Sequence, residues 1–344
     1  MISYIINNLK IICCFFWIII FIVSLIVMVK GADWLLKSAE KIGLSLGIPP
    51  FIIGVTIIGI GTSFPELISS IAAVFKGVTE IVPANAIGSN IANILLIVGI
   101  SAVIGRRLVV TKSLIDLDLP LLAISTALFL GAAWDQKITL IESLFLMFSY
   151  GIYLLYTFLH KDERADEIYE VLPARPDRRK LRVDKLGERT QAKRPKIGAV
   201  DFILLAVGIV GLAFGAKYLI DSVVKLSELL KIGAGVISLA AVALGTSLPE
   251  LLVSAKAAWQ KKSEVALGNI FGSNVFNILV VVGFPGLFKT LHLDAQTFHL
   301  GLPVLLVATF LFIISGISRK IHIWEGAMYL MVYAFFIGKL FGLF

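Results

Sequence analysis

The sequence predicts an all-α polytopic membrane protein. Ten transmembrane helices form two inverted five-helix repeats, with helices broken at the membrane midplane. Three observations lead there. The 344 residues are 58% hydrophobic and only 16% charged, with a mean hydropathy of +0.94; a soluble domain is about half apolar and about a quarter charged. The apolar residues gather into blocks close to the ~20 residues that cross a bilayer core. The chain also repeats itself, with "GTSFPELISS" at 61–70 and "GTSLPELLVS" at 245–254, an offset of 184 residues.

Blocks bounded by charge, Gly or Pro give ten spans, near 11–36, 50–75, 83–104, 117–134, 138–159, 199–223, 233–258, 265–288, 298–316 and 322–343. The first could pass for a signal peptide behind Lys10, but its apolar run is too long and no small-residue cleavage site follows it. Three segments follow: a first half at 1–159, a polar linker at 160–197, and a second half at 198–344. The linker carries 12 Lys/Arg and 8 Asp/Glu between 161 and 196, a mixed composition that suits a solvated connection better than a nucleic-acid patch. Basic residues favour the cytoplasmic side of a membrane. "GRRLVVTK" at 105–112, "QKK" at 260–262 and "SRK" at 318–320 fall on the linker's side, which places both termini outside a cell (inner) membrane.

Cys13 and Cys14 are neighbours about 100° apart on a helix, and the four histidines lack ligand spacing, so neither set makes a metal site. Asp116, Asp118, Glu142, Asp201 and Asp221 read as interfacial charges. Glu80 and Glu264 match across the repeat at span ends, as vestibule charges or caps.

The repeat needs no gap over about seventy residues. "GADWLLKS" at 31–38 aligns with "GAKYLIDS" at 215–222, and "GSNIANILLIVG" at 88–99 with "GSNVFNILVVVG" at 272–283. Five spans per half is an odd number, so the second half enters the membrane from the opposite side. Secondary transporters commonly have this layout, with the ion site near the midplane on helices broken at matching Gly/Pro positions. Gly61–Pro65 and Gly245–Pro249 are such positions. A proline removes a backbone donor and clashes with the carbonyl four residues back. Pro65 and Pro249 are therefore expected to free carbonyls at Gly61 and Gly245 toward a protein-lined cavity.

Glu66 follows Thr62 by four residues and Glu250 follows Thr246 by four, which on a continuous helix puts acid and hydroxyl on one face. An acid at a span's centre costs on the order of 2.5–3.5 kcal/mol, which a cation or proton must offset. Ca²⁺ takes six to eight oxygens; two glutamates match its charge, while hydroxyls, amides and carbonyls complete its shell. Ser89 and Asn93, like Ser273 and Asn277, are four apart and share a face. Gly88 and Gly272 allow close helix approach.

On "GTS.PE" followed by "GSN..N", twice and inverted, the chain resembles the Ca²⁺/cation antiporter superfamily, in its prokaryotic sodium/calcium exchanger branch. The resemblance covers roughly 31–104 and 215–288, the ten-span layout and the central loop. It implies a diamond of four side chains, Glu66, Glu250, Asn93 and Asn277. Thr62, Ser63, Ser89, Thr246, Ser247 and Ser273 would support them, together with the backbone carbonyls near Gly59 and Ala243. Sodium/calcium exchangers of this branch carry Asp where this chain has Asn277, which leaves Na⁺ and H⁺ both open as the counter-ion to Ca²⁺. The expected activity is antiport by alternating access, with the first and sixth spans sliding over a bundle that holds the site. No cofactor or enzymatic chemistry is expected. A cation channel would need a continuous path rather than one midplane site, and a serine hydrolase at Ser63 or Ser247 would need a base that no nearby His or Lys supplies.

Overall fold

A computed structural model describes residues 2–109, 118–159, 195, 197–229 and 247–343. Most of the 160–197 linker, the first part of the seventh predicted span, Asp116, Ala243, Gly245 and Thr246 lie outside the described residues.

The protein is a polytopic helical membrane fold. Its helices are α1 Ile2–Ser45, α2 Pro50–Thr62, α3 Phe64–Phe75, α4 Ile81–Gly105, α5 Leu119–Ala132, α6 Leu140–Leu159, α7 Ala199–Leu229, α8 Leu248–Trp259, α9 Ser263–Gly286, α10 Thr297–Ile317 and α11 Ile323–Leu340. Among the described residues, seven are long and apolar enough to cross a membrane, and up to eight if the bent α2–α3 pair counts as one span. The predicted first span, 11–36, is part of a much longer helix. The predicted 50–75 span is two helices meeting at 40°.

Two short antiparallel ribbons mark opposite ends of the bundle. Arg107–Val109 (β1) pairs with Lys320–His322 (β4) at one end. Lys137–Ile138 (β2) pairs with Leu291–His292 (β3) at the other, since β3 and β4 flank opposite ends of α10.

α9 runs through the centre with its whole apolar window buried. Glycines let it lie directly on α2: a Cβ on Gly272 would collide with the Val55 backbone, and one on Gly54 would sit 2.7 Å from the Val265 carbonyl. α1 and α7 pack along each other at the periphery. There Gly31 and Gly208 bring two backbones together, and a Cβ on Gly208 would sit 2.8 Å from the Leu35 nitrogen. Small residues at such crossings replace the hydrophobic drive that lipid cancels. The outward face of α1, with Phe15, Phe16, Ile19, Ile22 and Val23, stays exposed as a lipid-facing surface.

Ion pairs tie α1 to its neighbours toward the β1–β4 end: Lys256–Asp33 and Lys262–Glu40, each at 2.6 Å, and Lys41–Asp201 at 2.8 Å. Two of the acids read as interfacial lie at helix starts and are covered by neighbouring protein. Asp118 is buried, and Asp201 is largely buried because Lys41 and the Gly198 N–H satisfy its carboxylate.

Candidate functional site

The site begins at the break between α2 and α3. Ser63 sits there with φ −88° and ψ 5°, and Ser247 repeats the geometry with φ −85° and ψ 5° immediately before α8. Both lie in the sparsely used bridge region where residues of turns and active sites gather. Pro65 and Pro249 fall in the first turn of the helix that follows, where a missing N–H costs nothing. The prolines therefore start helices rather than kink them.

This corrects an expectation. Thr62 ends α2 and Glu66 lies in the first turn of α3, so the two do not share a continuous helix face. What the break provides is electrostatic. Glu66 and Glu250 each occupy the first turn of their helix, where the positive end of the helix dipole favours a carboxylate. Both are buried, at 0% and 1% exposure, so this help is supplied away from bulk water.

The two halves interlock. The Ser63 hydroxyl donates to Glu250 Oε1 at 2.8 Å, joining the first half's break to the second half's acid. Ser273 Oγ donates to the Gly59 carbonyl at 3.3 Å and lies 3.4 Å from Thr62 Oγ1. Thr62, Ser63, Gly59, Ser273 and Glu250 thus form one continuous polar cluster. Ser89 and Ser247 line a cavity of about 730 Å³ with Asn85, Ala92, Tyr333, Asp294 and Gln296. The cavity opens toward the β2–β3 end, where Gln296 Nε2 donates to the Leu340 carbonyl.

Asn93 and Asn277 are each 1% exposed, and among the described residues neither side-chain amide has a hydrogen-bond partner. Leaving a buried amide without partners costs on the order of 1–3 kcal/mol. Each asparagine lies in a wide helical turn, and its carbonyl is bonded five residues on, Asn93 by Val98 and Asn277 by Val282. Such π turns occur frequently at functional sites. Asn93's turn packs against α8, which carries Glu250, and Asn277's turn packs against α3, which carries Glu66. Ala243 and Thr246, expected in the same set, lie outside the described residues.

Sequence reasoning missed Asn269. Its side chain bridges Thr62 on α2 to Ser254 on α8, at 3.2 and 2.8 Å. The available signal was the "N…GSN" spacing shared by Asn85 and Asn269, five residues before the third letter of each motif. Among the described residues, no three His, Cys, Asp or Glu side chains cluster as a resident metal centre would require.

Comparison with known proteins adds to this geometry. A sequence profile for "Sodium/calcium exchanger protein" matches residues 16–159 and again 200–341. The chain is 33% identical over 350 residues to the sodium/calcium exchanger MaX1 of Methanosarcina acetivorans, covering 94% of this chain and 98% of that protein. It is 31% identical to the inner membrane protein YrbG of Escherichia coli, over 85% of this chain and 86% of that one. A structure of the sodium-calcium exchanger NCX_Mj, soaked with 100 mM Na⁺ and 10 mM Sr²⁺, superposes with a TM-score of 0.74. It shares 28% identity, over 95% of this chain and 99% of that one.

Proposed function

The chain belongs to the sodium/calcium exchanger protein family, and we propose that it is a secondary active antiporter that exchanges Ca²⁺ for Na⁺. The observation that carries this reading is a pair of glutamates, one per half, buried in the first turns of helices that follow matched serine hinges. Two carboxylates balance one Ca²⁺. The Asn93 and Asn277 amides, the hydroxyls of Thr62, Ser63, Ser89, Thr246, Ser247 and Ser273, and the carbonyls near Gly59 and Ala243 complete the oxygen shell. Ca²⁺ and its counter-ions compete for the same oxygens, which is what obliges exchange. An empty site would leave two bare carboxylates to desolvate on crossing, so it returns only when loaded.

The architecture behind this reading is ten spans in two inverted five-helix halves. In that count α2–α3 form one broken span, and α8 is the second part of another. Support comes from the 184-residue repeat and from the matched hinges at Ser63 and Ser247. Alternating access would come from α1 and α7 sliding over the bundle along their glycine crossing. Arg106, Arg107, Lys261, Arg319 and Lys320 gather at the β1–β4 end, which favours that end as cytoplasmic and puts both termini outside the cell membrane.

Asn277 is an amide in a central position, which keeps proton coupling as the specific rival to Na⁺. Radiocalcium uptake into proteoliposomes, with the potential clamped, decides between them. Uptake driven by an outward Na⁺ gradient is the expected result, and uptake driven only by an outward H⁺ gradient would replace Na⁺ with H⁺. No uptake under either gradient would overturn the calcium reading.

A further inference from the structure

We infer that Asn269 is a positioning residue for the cation site: its amide oxygen accepts the hydrogen bond of the Thr62 hydroxyl, so that Thr62 presents lone pairs to the ion. The inference rests on the cation site proposed above. Asn269 is completely buried and belongs to α9, while the groups it touches belong to α2 and α8. Its Nδ2 donates to Ser254 Oγ at 2.8 Å and lies 3.5 Å from the Glu250 carbonyl oxygen. A backbone carbonyl can only accept, so the orientation with the amide nitrogen facing α8 suits both of its neighbours there. The amide oxygen is thereby turned toward Thr62, whose hydroxyl lies 3.2 Å away.

Thr62 has one hydrogen to give. Its neighbours include two oxygens that cannot donate, Asn269 Oδ1 at 3.2 Å and the Gly59 carbonyl at 3.3 Å. Ser273 can send its own hydrogen to Gly59, also at 3.3 Å, and leave the Thr62 hydrogen to Asn269. A hydroxyl whose hydrogen is spent on an amide oxygen offers only acceptor density elsewhere, which is what a hard cation needs from a neutral ligand. Were the amide reversed, its N–H groups would point at Thr62 and occupy one of its lone pairs, leaving Thr62 to compete with Ser273 for the Gly59 carbonyl and with less acceptor density for the ion. One side chain of the second half thus sets the orientation of a neutral ligand contributed by the first.

The test is a double-mutant cycle on calcium half-saturation, measured with Ca²⁺ alone by equilibrium binding and by proteoliposome uptake. Asn269→Ala should raise half-saturation about tenfold, the scale of one lost buried hydrogen bond, with a much smaller change in maximal rate. In a Thr62→Val background the same substitution should add little, because Asn269 acts through Thr62. Effects that simply add, or a half-saturation that does not move, would overturn the inference. If Asn269→Ala yields no folded protein, Ser254→Ala loosens the amide from its other end. It should weaken calcium binding in the Thr62 background and not in Thr62→Val; equal weakening in both would count against the inference. A wild-type protein that neither binds nor carries calcium would refute the proposed function. Normal wild-type transport beside an unaffected Asn269→Ala refutes the positioning role alone.

Discussion

Asn85 and Asn269 stand 184 residues apart at equivalent places in the repeat, yet they live in different surroundings. Asn269 is sealed in, bonded to Ser254 and Thr62. Asn85 is only half-buried and lines the cavity that opens toward the β2–β3 end. Their serine partners differ in the same sense. Ser254 bonds Asn269, whereas Ser70, its equivalent, has no hydrogen-bond partner for its hydroxyl among the described residues. α9 is buried throughout its apolar window, and α4 less completely so. Near-identical motifs therefore stand in different surroundings, one beside an open cavity and one in the packed interior. In the reading proposed above this asymmetry is a requirement, since a carrier made of two equal halves must expose its site on one side at a time.

The largest effects should fall where the halves are alike. Glu66→Gln and Glu250→Gln should each lower calcium flux by about a hundredfold or more, because stripping one charge from a buried, ion-matched cluster costs on the order of 3 kcal/mol or above. Uptake by purified, monodisperse variants is the measurement. Abolished flux in one variant beside robust flux in the other would break the equivalence of the two acids.

The next effect should separate the halves. With Cys13 and Cys14 replaced, single cysteines at 85 and 269 would be exposed to a membrane-impermeant thiol reagent. Asn85→Cys should react more than about tenfold faster than Asn269→Cys, since attack requires an accessible thiolate. Equal rates would mean that the difference between the open cavity and the packed interior does not exist in solution.

How much of this was legible beforehand divides along the same line. The acids, the hinge serines and the asparagines stood out because each is a polar residue placed in register inside an apolar span, where burial makes polarity costly; a central place for Asn93 and Asn277 was implied by the family resemblance alone. The seat of the break could not be read. Proline rules point to a kink at Gly61 and Gly245, but the chain uses Pro65 as a helix start and puts the turn at Ser63. Nothing local marks the wide turns at Asn93 and Asn277, since neither glycine nor proline interrupts "ANILLI" or "NILVV". The contrast between Asn85 and Asn269 was also out of reach. Near-identical sequence cannot encode which copy lines the open cavity, because that depends on what each copy packs against.

A smaller effect concerns the β1–β4 end. Asp33–Lys256 and Glu40–Lys262 fasten α1 to α8 and to the turn before α9. The equivalent positions of the opposite half are Lys217 with Ala72 and Val224 with Val78, which cannot form ion pairs. The fastening is one-sided and favours the state seen here. Asp33→Lys should slow transport about two- to fivefold, the range of a partly exposed pair, and adding Lys256→Asp should recover much of the loss. A charge-reversed double variant no better than Asp33→Lys would show that the pair carries no bias.

The smallest effect lies at the mouth of the cavity. Asp294 accepts hydrogen bonds from the Gln296 and Thr297 N–H groups, both at 2.9 Å, and from the Thr297 hydroxyl. Partial burial alone would push its carboxyl up. The three hydrogen bonds together outweigh burial and hold it below the ordinary 3.8. A depressed carboxyl pKa contributes stability that is fully present above 3.8 and is lost as pH falls through the lower folded value. Asp294→Asn should therefore cost less than about 1 kcal/mol near neutrality, a capping interaction reduced by solvent. The difference from wild type should shrink as pH falls below 3.8 and vanish once the folded carboxyl is protonated and both side chains are neutral. Thermal unfolding in detergent across that range is the measurement. A gap that persists at low pH would mean that Asp294 acts through packing at the cavity mouth rather than through its charge.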